Sequence, residues 1–233
     1  MKMDPLHIVL LLMCLPLACA VPEPLADKPS APGIVIKLPE PLIQGEVSLE
    51  EAIHSRRSIR QYTGSPLTLS EVSQLLWSSQ GITAGWGGRT VPSAGGLNPL
   101  EAYLVAGNVE GLKPGLYRYM PQTNDLLQVG DKDLRSDLAG AALNQSCVRD
   151  GAVSIVISAV YARTTVRYGD RGIRYVHMEA GHASQNIYLQ ATALGLGTVA
   201  VGAFDDKHVT GILGLPADEV PLYIMPVGRQ SGS

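Results

Sequence analysis

The chain has little that would staple, stiffen or charge it. Cysteine occurs three times, and Cys14 and Cys19 fall in an apolar N-terminal stretch, which leaves Cys147 alone for the folded part. An intrachain disulfide framework is therefore excluded, and Cys147, between Ser146 and Val148, reads as a small, partly buried apolar side chain. Charged residues make up 17% and the formal net charge is −3, so the global basic field that nucleic acid demands is missing. The metalloprotease spacing H-E-x-x-H is absent: His177 and His182 stand five apart, on different faces of a helix, and no metal site is expected. Gly195-Leu196-Gly197 lacks a third glycine at the right offset and follows a helix, which excludes a Rossmann dinucleotide loop. Nor does a G-x-S-x-G elbow surround Ser93, so it is not read as a hydrolase nucleophile.

What is present begins with an export signal over residues 1–20. Lys2 precedes the apolar run from Ile8 to Leu17, which is too short to span a membrane as a permanent helix, and small residues follow. Ala18 and Ala20 suit ordinary cleavage before Val21; Leu17-Ala18-Cys19 suits lipoprotein-type cleavage before Cys19, with a lipid anchor. Either route places the protein outside the cytoplasm, in the periplasm or on a membrane. Residues 21–44 carry Pro22, Pro24, Pro29, Pro32, Pro39 and Pro41 and read as an extended arm or tether. Residues 45–233 are enough for one domain with its own core.

Within that domain Ser48 with Glu51, and Thr68 with Glu71, open two helices. A Gly- and Pro-rich loop runs from Gly81 to Asn98, a strand follows over Glu101 to Ala106, and a hairpin turns around Gln122-Thr123-Asn124. Leu134 to Leu143 reads as a helix, Ala152 to Val160 as a strand buried on both faces, and Tyr175 to Leu194 as a long helix stopped by Gly195. Thr198 to Val201 and Val220 to Val227 supply the last strands.

The chemistry concentrates in Ser55-Arg56-Arg57-Ser58-Ile59-Arg60-Gln61-Tyr62, three guanidiniums and two serine hydroxyls within eight residues. Arg presents a rigid fork of donors matched to phosphate or carboxylate, so this cluster reads as a site for an anionic, phosphorylated ligand. A solvated helix end is its plain alternative. Downstream lie Pro92-Ser93-Ala94-Gly95, Gly195-Leu196-Gly197-Thr198 running into Gly202-Ala203-Phe204, and Pro226-Val227-Gly228-Arg229.

In this order the four segments resemble the FMN-dependent nitroreductase superfamily, and within it the SagB-type dehydrogenases that oxidise azoline rings. The resemblance runs from about residue 34 to 229. It implies an α+β fold with a central, mostly antiparallel sheet flanked by helices, and a homodimer with FMN at each subunit interface. It implies that Arg56, Arg57 and Ser58 hold the FMN phosphate and ribityl groups, that Arg60 approaches the pyrimidine edge, and that Arg229, next to Gly228, is a second phosphate cation. Pro92, Ser93, Ala94 and Gly95 would come from the partner subunit, Gln145 would contact the pyrimidine, and Gly202 and Ala203 would line the reactive ring nitrogen. Many nitroreductases carry Glu at the first of that pair, and Gly202 departs toward the SagB-like branch. Hydride transfer through flavin in a ping-pong cycle is the implied activity, with NAD(P)H and a nitroaromatic or quinone, or an azoline-like ring, as substrates. No acid–base residue stands out: Tyr161, Tyr168 and Tyr175 qualify by chemistry alone, beside an expected loop from Arg163 to Arg174 able to cover the site. A non-catalytic flavin-binding envelope lipoprotein is the rival reading.

Overall fold

The computed structural model describes residues 33–230. The export signal and residues 21–32 of the proline-rich arm lie outside them. Seven strands form one sheet in the order β1-β4-β3-β2-β5-β7-β6: β1 Val35–Lys37, β2 Leu100–Ala106, β3 Gly115–Met120, β4 Asp125–Gly130, β5 Val153–Val160, β6 Leu196–Thr198 and β7 Glu219–Arg229. Every neighbouring pair is antiparallel. Helices cover both faces: α1 Leu49–Ser55, α2 Leu69–Gln80, α3 Arg135–Ala141, α4 Ser146–Asp150, α5 Ala162–Tyr168, α6 Arg171–Ala193 and α7 Asp206–Leu213.

Two apolar clusters sandwich the sheet. The first follows from helical spacing: α2 buries Val72, Leu75 and Leu76, and α6 buries Val176, Ala180, Ala183, Ile187 and Ala191, positions three to four apart that make one stripe. The small side chains at Ala180 and Ala183 let α2 approach α6 closely. The opposite face is closed by Leu138, Cys147, Val148, Val209 and Leu213 from α3, α4 and α7. Burial of each large side chain contributes on the order of 1.5–3 kcal/mol, which fixes the layers. The strand β5, hydrogen-bonded on both edges and covered on both faces, is buried along nearly its whole length.

Both expected caps form: Ser48 Oγ accepts the Glu51 N–H, and Thr68 with Glu71 makes a reciprocal capping box. Two expectations are corrected. Residues 33–44 are not a free tether, because β1 pairs with β4, Ser73 Oγ donates to the Pro39 carbonyl at 2.6 Å and Gln74 exchanges hydrogen bonds with both backbone groups of Leu42. The stretch from Arg163 to Arg174 is helical, forming α5 and the first turn of α6 around the left-handed Gly169 at φ +55°. The helix expected over Leu134 to Leu143 forms as α3, Arg135–Ala141, and the chain then turns through Leu143 and Asn144, both at positive φ, into the unforeseen α4.

Residues 58–63 close the sheet's far edge. Ser58 bridges Thr198 in parallel, Ile59 N–H donates to the Thr198 carbonyl at 2.9 Å, and Thr63 N–H donates to that of Arg229 at 3.0 Å. Two glycines make this seam possible. A Cβ on Gly197 would stand 2.6 Å from Ile59 Cγ2, and one on Gly228 would stand 2.6 Å from Tyr62 Cγ. Gly228→Ala is accordingly expected to lower stability by roughly 1–3 kcal/mol, the usual cost of overpacking, as a fall in the denaturant midpoint. An unchanged midpoint would mean that the seam has slack.

Candidate functional site

As the chain leaves α1, Arg56 and Arg57 diverge. The Arg56 guanidinium lies over the Tyr188 ring, 5.1 Å from its centroid, whereas Arg57 Nη1 donates to the carbonyls of His54 at 2.9 Å and Arg56 at 2.8 Å and so caps the helix end. Tyr188, from the C-terminal half of α6, is 9% exposed. Its hydroxyl shares a 2.9 Å hydrogen bond with Ser58 Oγ and accepts the Ala200 N–H at 2.8 Å. Gln145, at the start of α4, donates through Nε2 to Ala142 O at 3.0 Å and Ala203 O at 3.1 Å. The two sets of contacts land on Ala200 and Ala203, three residues apart, so Ser58, through Tyr188, and Gln145 are both tied to the one segment that carries Gly202 and Ala203, called the wall below. Gly202 and Ala203 are exposed there. A Cβ on Gly202 would meet nothing closer than Tyr223 at 3.6 Å, so the chain itself does not require a small residue at that place.

Arg60 is exposed, and among the described residues no hydrogen bond or ion pair takes up its guanidinium. Its charge is felt by the neighbouring Tyr62 and Cys147. Burial nonetheless pushes the Cys147 thiol up, which makes it unreactive and agrees with its reading as a packed apolar side chain.

Arg229 does not join this wall. Its guanidinium makes a two-pronged pair with Glu71, Nη1 to Oε1 and Nη2 to Oε2 both at 3.0 Å, and Nε donates to the Pro66 carbonyl at 3.1 Å. The same carboxylate caps Thr68 at the start of α2. Alternation along β7 explains the displacement: Gln230, one residue on, shares a small cavity with Arg57 and Thr192, and Arg229 points the other way. Gly228 likewise serves the Tyr62 ring packed on it.

The segment 92–96 lies elsewhere. Pro92 is exposed, Ala94–Gly96 makes one turn of 3-10 helix, and Ser93 Oγ accepts the Asn98 N–H at 2.9 Å. The carboxylate of Glu179 on α6 is buried near this segment, and Ser93, Arg89 and Ala94 favour its charged form. Gly95 sits at φ +64°, and a Cβ there would come within 2.8 Å of the Tyr168 hydroxyl of the same chain. That glycine therefore has a reason within its own subunit. Glu179 and Tyr188 are nine residues apart on α6, about 13 Å along its axis. One subunit thus does not bring the 92–96 segment to the Arg56 wall.

Of the three tyrosines with acid–base chemistry, Tyr161 is held by His177 through a 2.6 Å hydrogen bond, and Tyr168 packs edge to face on Tyr175. Sequence reasoning missed Tyr188, Glu71 and Glu179. Only Glu179 carried a signal, being an acid inside the apolar stripe of α6 between Val176 and Ala183. It is 3% exposed, and burial raises its pKa from 4.5 to about 7 against the opposing pull of Ser93, Arg89 and the Ala94 N–H.

Comparison with known proteins places this architecture. The chain belongs to the nitroreductase family of oxidoreductases: the model described as "Nitroreductase family" matches residues 53–229. It is 48% identical over 185 residues to a nitroreductase-family protein of Methanocaldococcus jannaschii, covering 79% of this chain and 92% of that one. It is 25% identical to the trifolitoxin operon protein TfxC of Rhizobium leguminosarum, with 89% and 63% covered, and 29% identical to the NADPH-flavin oxidoreductase of Vibrio harveyi, with 77% and 64% covered. A nitroreductase-family crystal structure from Ralstonia eutropha superposes with a TM-score of 0.76 at 29% identity, covering 88% of this chain and 93% of that one. The fold is the nitroreductase fold, as the sequence implies.

The raised pKa of Glu179 has a signed consequence. Between about pH 4.5 and 7 the folded chain holds a proton at Glu179 that the unfolded chain has lost, so this residue's contribution to stability declines as pH rises through that window. Thermal unfolding of Glu179→Gln should show a smaller loss between those limits than the wild type. Parallel curves would mean that the carboxyl titrates at its ordinary value.

Proposed function

We propose that this chain is a homodimeric, FMN-dependent oxidoreductase of the SagB-type branch, passing hydride from one substrate to another through its flavin in a ping-pong cycle. The observation that carries it is the wall on which Tyr188 and Gln145 gather Arg56, Ser58, Gly202 and Ala203. Kinship with an NADPH-flavin oxidoreductase supports the cofactor. Glycine at 202 and kinship with a trifolitoxin operon protein support the branch.

The donor set fits FMN. Arg56 supplies a cationic fork for a phosphate, Arg57, held to the carbonyls at the end of α1, adds charge beside it, Ser58 and Gln145 supply short polar contacts, and the exposed Gly202-Ala203 backbone offers a flat surface to a ring system. When bound, FMN supplies the hydride acceptor and donor. The chain positions it: Tyr188 fixes Ser58 and the backbone before Gly202, and Arg60 places positive charge where negative charge would develop. Arg229, committed to Glu71, is left out of the phosphate set.

Two further features support the dimer. The 92–96 segment stands apart from the wall of its own chain, as expected of a segment that completes the partner's site. Beside it, α5 and α6 expose Val166, Ile173 and Met178, with Val166 at 77%. NAD(P)H, a nitroaromatic or quinone, or an azoline-like ring are the candidate substrates. The N-terminal signal points to an exported protein, soluble in the periplasm or lipid-anchored through Cys19. NAD(P)H is not expected in that compartment, so electrons there would come from the oxidised substrate or a membrane carrier.

Purified protein should be yellow, dimeric and turned over by a hydride donor with an acceptor; a protein that holds FMN yet cycles with no donor–acceptor pair would support the rival flavin-binding role. Arg56→Ala should weaken FMN retention about tenfold or more, from the loss of a charge-assisted contact worth ~1.5–3 kcal/mol. Arg229→Ala should instead lower the unfolding midpoint with FMN retention kept, and the reverse pattern would return Arg229 to the phosphate. Intact mass of membrane-fraction protein should show a chain starting at a lipid-bearing Cys19 or at Val21; a full-length species from Met1 in the cytoplasm defeats the export reading.

A further inference from the structure

We propose that the corner between α5 and α6, where Arg167 and Arg171 lie against the rings of Tyr168 and Tyr175 beside Gly95, is a subsite for a carboxylate carried by the substrate that meets the flavin of the partner subunit. The placement beside that flavin rests on the reading given above; the subsite itself rests on geometry within one chain.

The corner is built as one unit. The rings of Tyr168 and Tyr175 meet edge to face, with centroids 5.2 Å apart and planes at 84°. The Arg167 guanidinium lies 5.5 Å from the Tyr168 centroid, and that of Arg171 lies 6.0 Å from the Tyr175 centroid. Contact with a ring directs a guanidinium without using its N–H donors, which stay open to an acceptor.

The 92–96 segment closes one side. A Cβ on Gly95 would stand 2.8 Å from the Tyr168 hydroxyl and 3.0 Å from Arg167 Nη1, so a hydroxyl and a guanidinium converge on the bare backbone of that glycine. Any side chain at position 95 would fill the place they face. Neither donor meets an acceptor among the described hydrogen bonds and ion pairs.

The charges around the corner are unbalanced. Arg163 is already taken, since its Nη1 donates to Glu101 Oε1 at 2.6 Å and to the Asn98 carbonyl at 3.2 Å. Arg167, Arg171 and Arg174 are exposed and enter no ion pair among the described contacts. Asp170 is the single acid between Tyr161 and Met178, and it does not cap α6, whose first turn holds no acid. Cations at a helix N-terminus and like charges three or four residues apart both lower stability. Three positive charges thus stand against one negative, and the excess faces outward. A carboxylate fits the pair at Gly95, an oxygen taking the hydroxyl and the guanidinium edge together, while Arg171, joined through the Tyr168–Tyr175 contact, adds charge to the same corner.

Two nitroaromatics alike in shape, 4-nitrobenzoate and 4-nitrobenzamide, differ by one negative charge and serve as probes. Calorimetric titration of the full-length protein, incubated with FMN and freed of excess, should show the acid binding about tenfold tighter than the amide. In Arg167→Gln and in Arg171→Gln the ratio should fall toward one, Arg167→Lys should restore part of it, and added salt should shrink it in the wild type. The bound acid should also shift the flavin absorbance. A wild type that binds the acid no better than the amide, or binds neither, overturns the subsite, as does an advantage that survives both Gln substitutions. An advantage lost in the variants without any flavin shift supports the subsite and overturns its placement beside the flavin. The same loss in a protein that takes up no FMN supports the subsite and overturns the flavin reading instead.

Discussion

The Tyr188 hydroxyl is the point on which the wall depends. It is a single oxygen, nearly buried, that meets Ser58 from one side and the Ala200 N–H from the other. Its ring also carries the Arg56 guanidinium. Three segments far apart in sequence, 56–58, 188 and 200–203, are therefore referenced to one side chain on a long helix. The cation gains a defined direction without an ion pair, which leaves its donors available. Arg229 is the opposite case, because there a carboxylate takes the whole fork and the charge serves structure.

Burial of acids is the second constraint. Glu101, Glu179 and Glu219 are each under a tenth exposed. Glu101 is paired by Arg118 and Arg163, and Glu219 is satisfied by the hydroxyls of Ser158 and Tyr103, with burial the main force raising its pKa. Glu179 has no paired cation among the described contacts, and burial raises its pKa against the pull of Ser93, Arg89 and Ala94. A buried charge costs stability unless it is hydrogen-bonded, so Glu101 and Glu219 keep the partners just named while Glu179 is pushed toward its neutral form.

Much of this was legible in the sequence. The caps at Ser48 and Thr68, the buried strand β5, the hairpin and the glycine stop of α6 follow from local chemistry, and the ordered motifs carried the family. Three things were not legible. The split between α3 and α4 depends on positive φ at Leu143 and Asn144, residues of which only Asn commonly tolerates it. The partner of Arg229 is set by strand alternation against a helix 158 residues away, and no local pattern reports that. Tyr188 looks like any aromatic on a helix until the fold brings Ser58 and Ala200 to its hydroxyl.

The seam of residues 58–63 against β6 and β7 also bears on the order of assembly. The arginine-rich segment is made early and its hydrogen-bonding partners, Thr198 and Arg229, some 140 to 166 residues later. Contacts of such sequence separation form late and slowly, since the intervening chain must first be ordered. While a ribosome is still short of β6 and β7, the segment has no edge to join and the wall cannot exist. Any ligand that this wall takes must therefore wait for the last strand, and cannot serve as a template for the chain as it is being made.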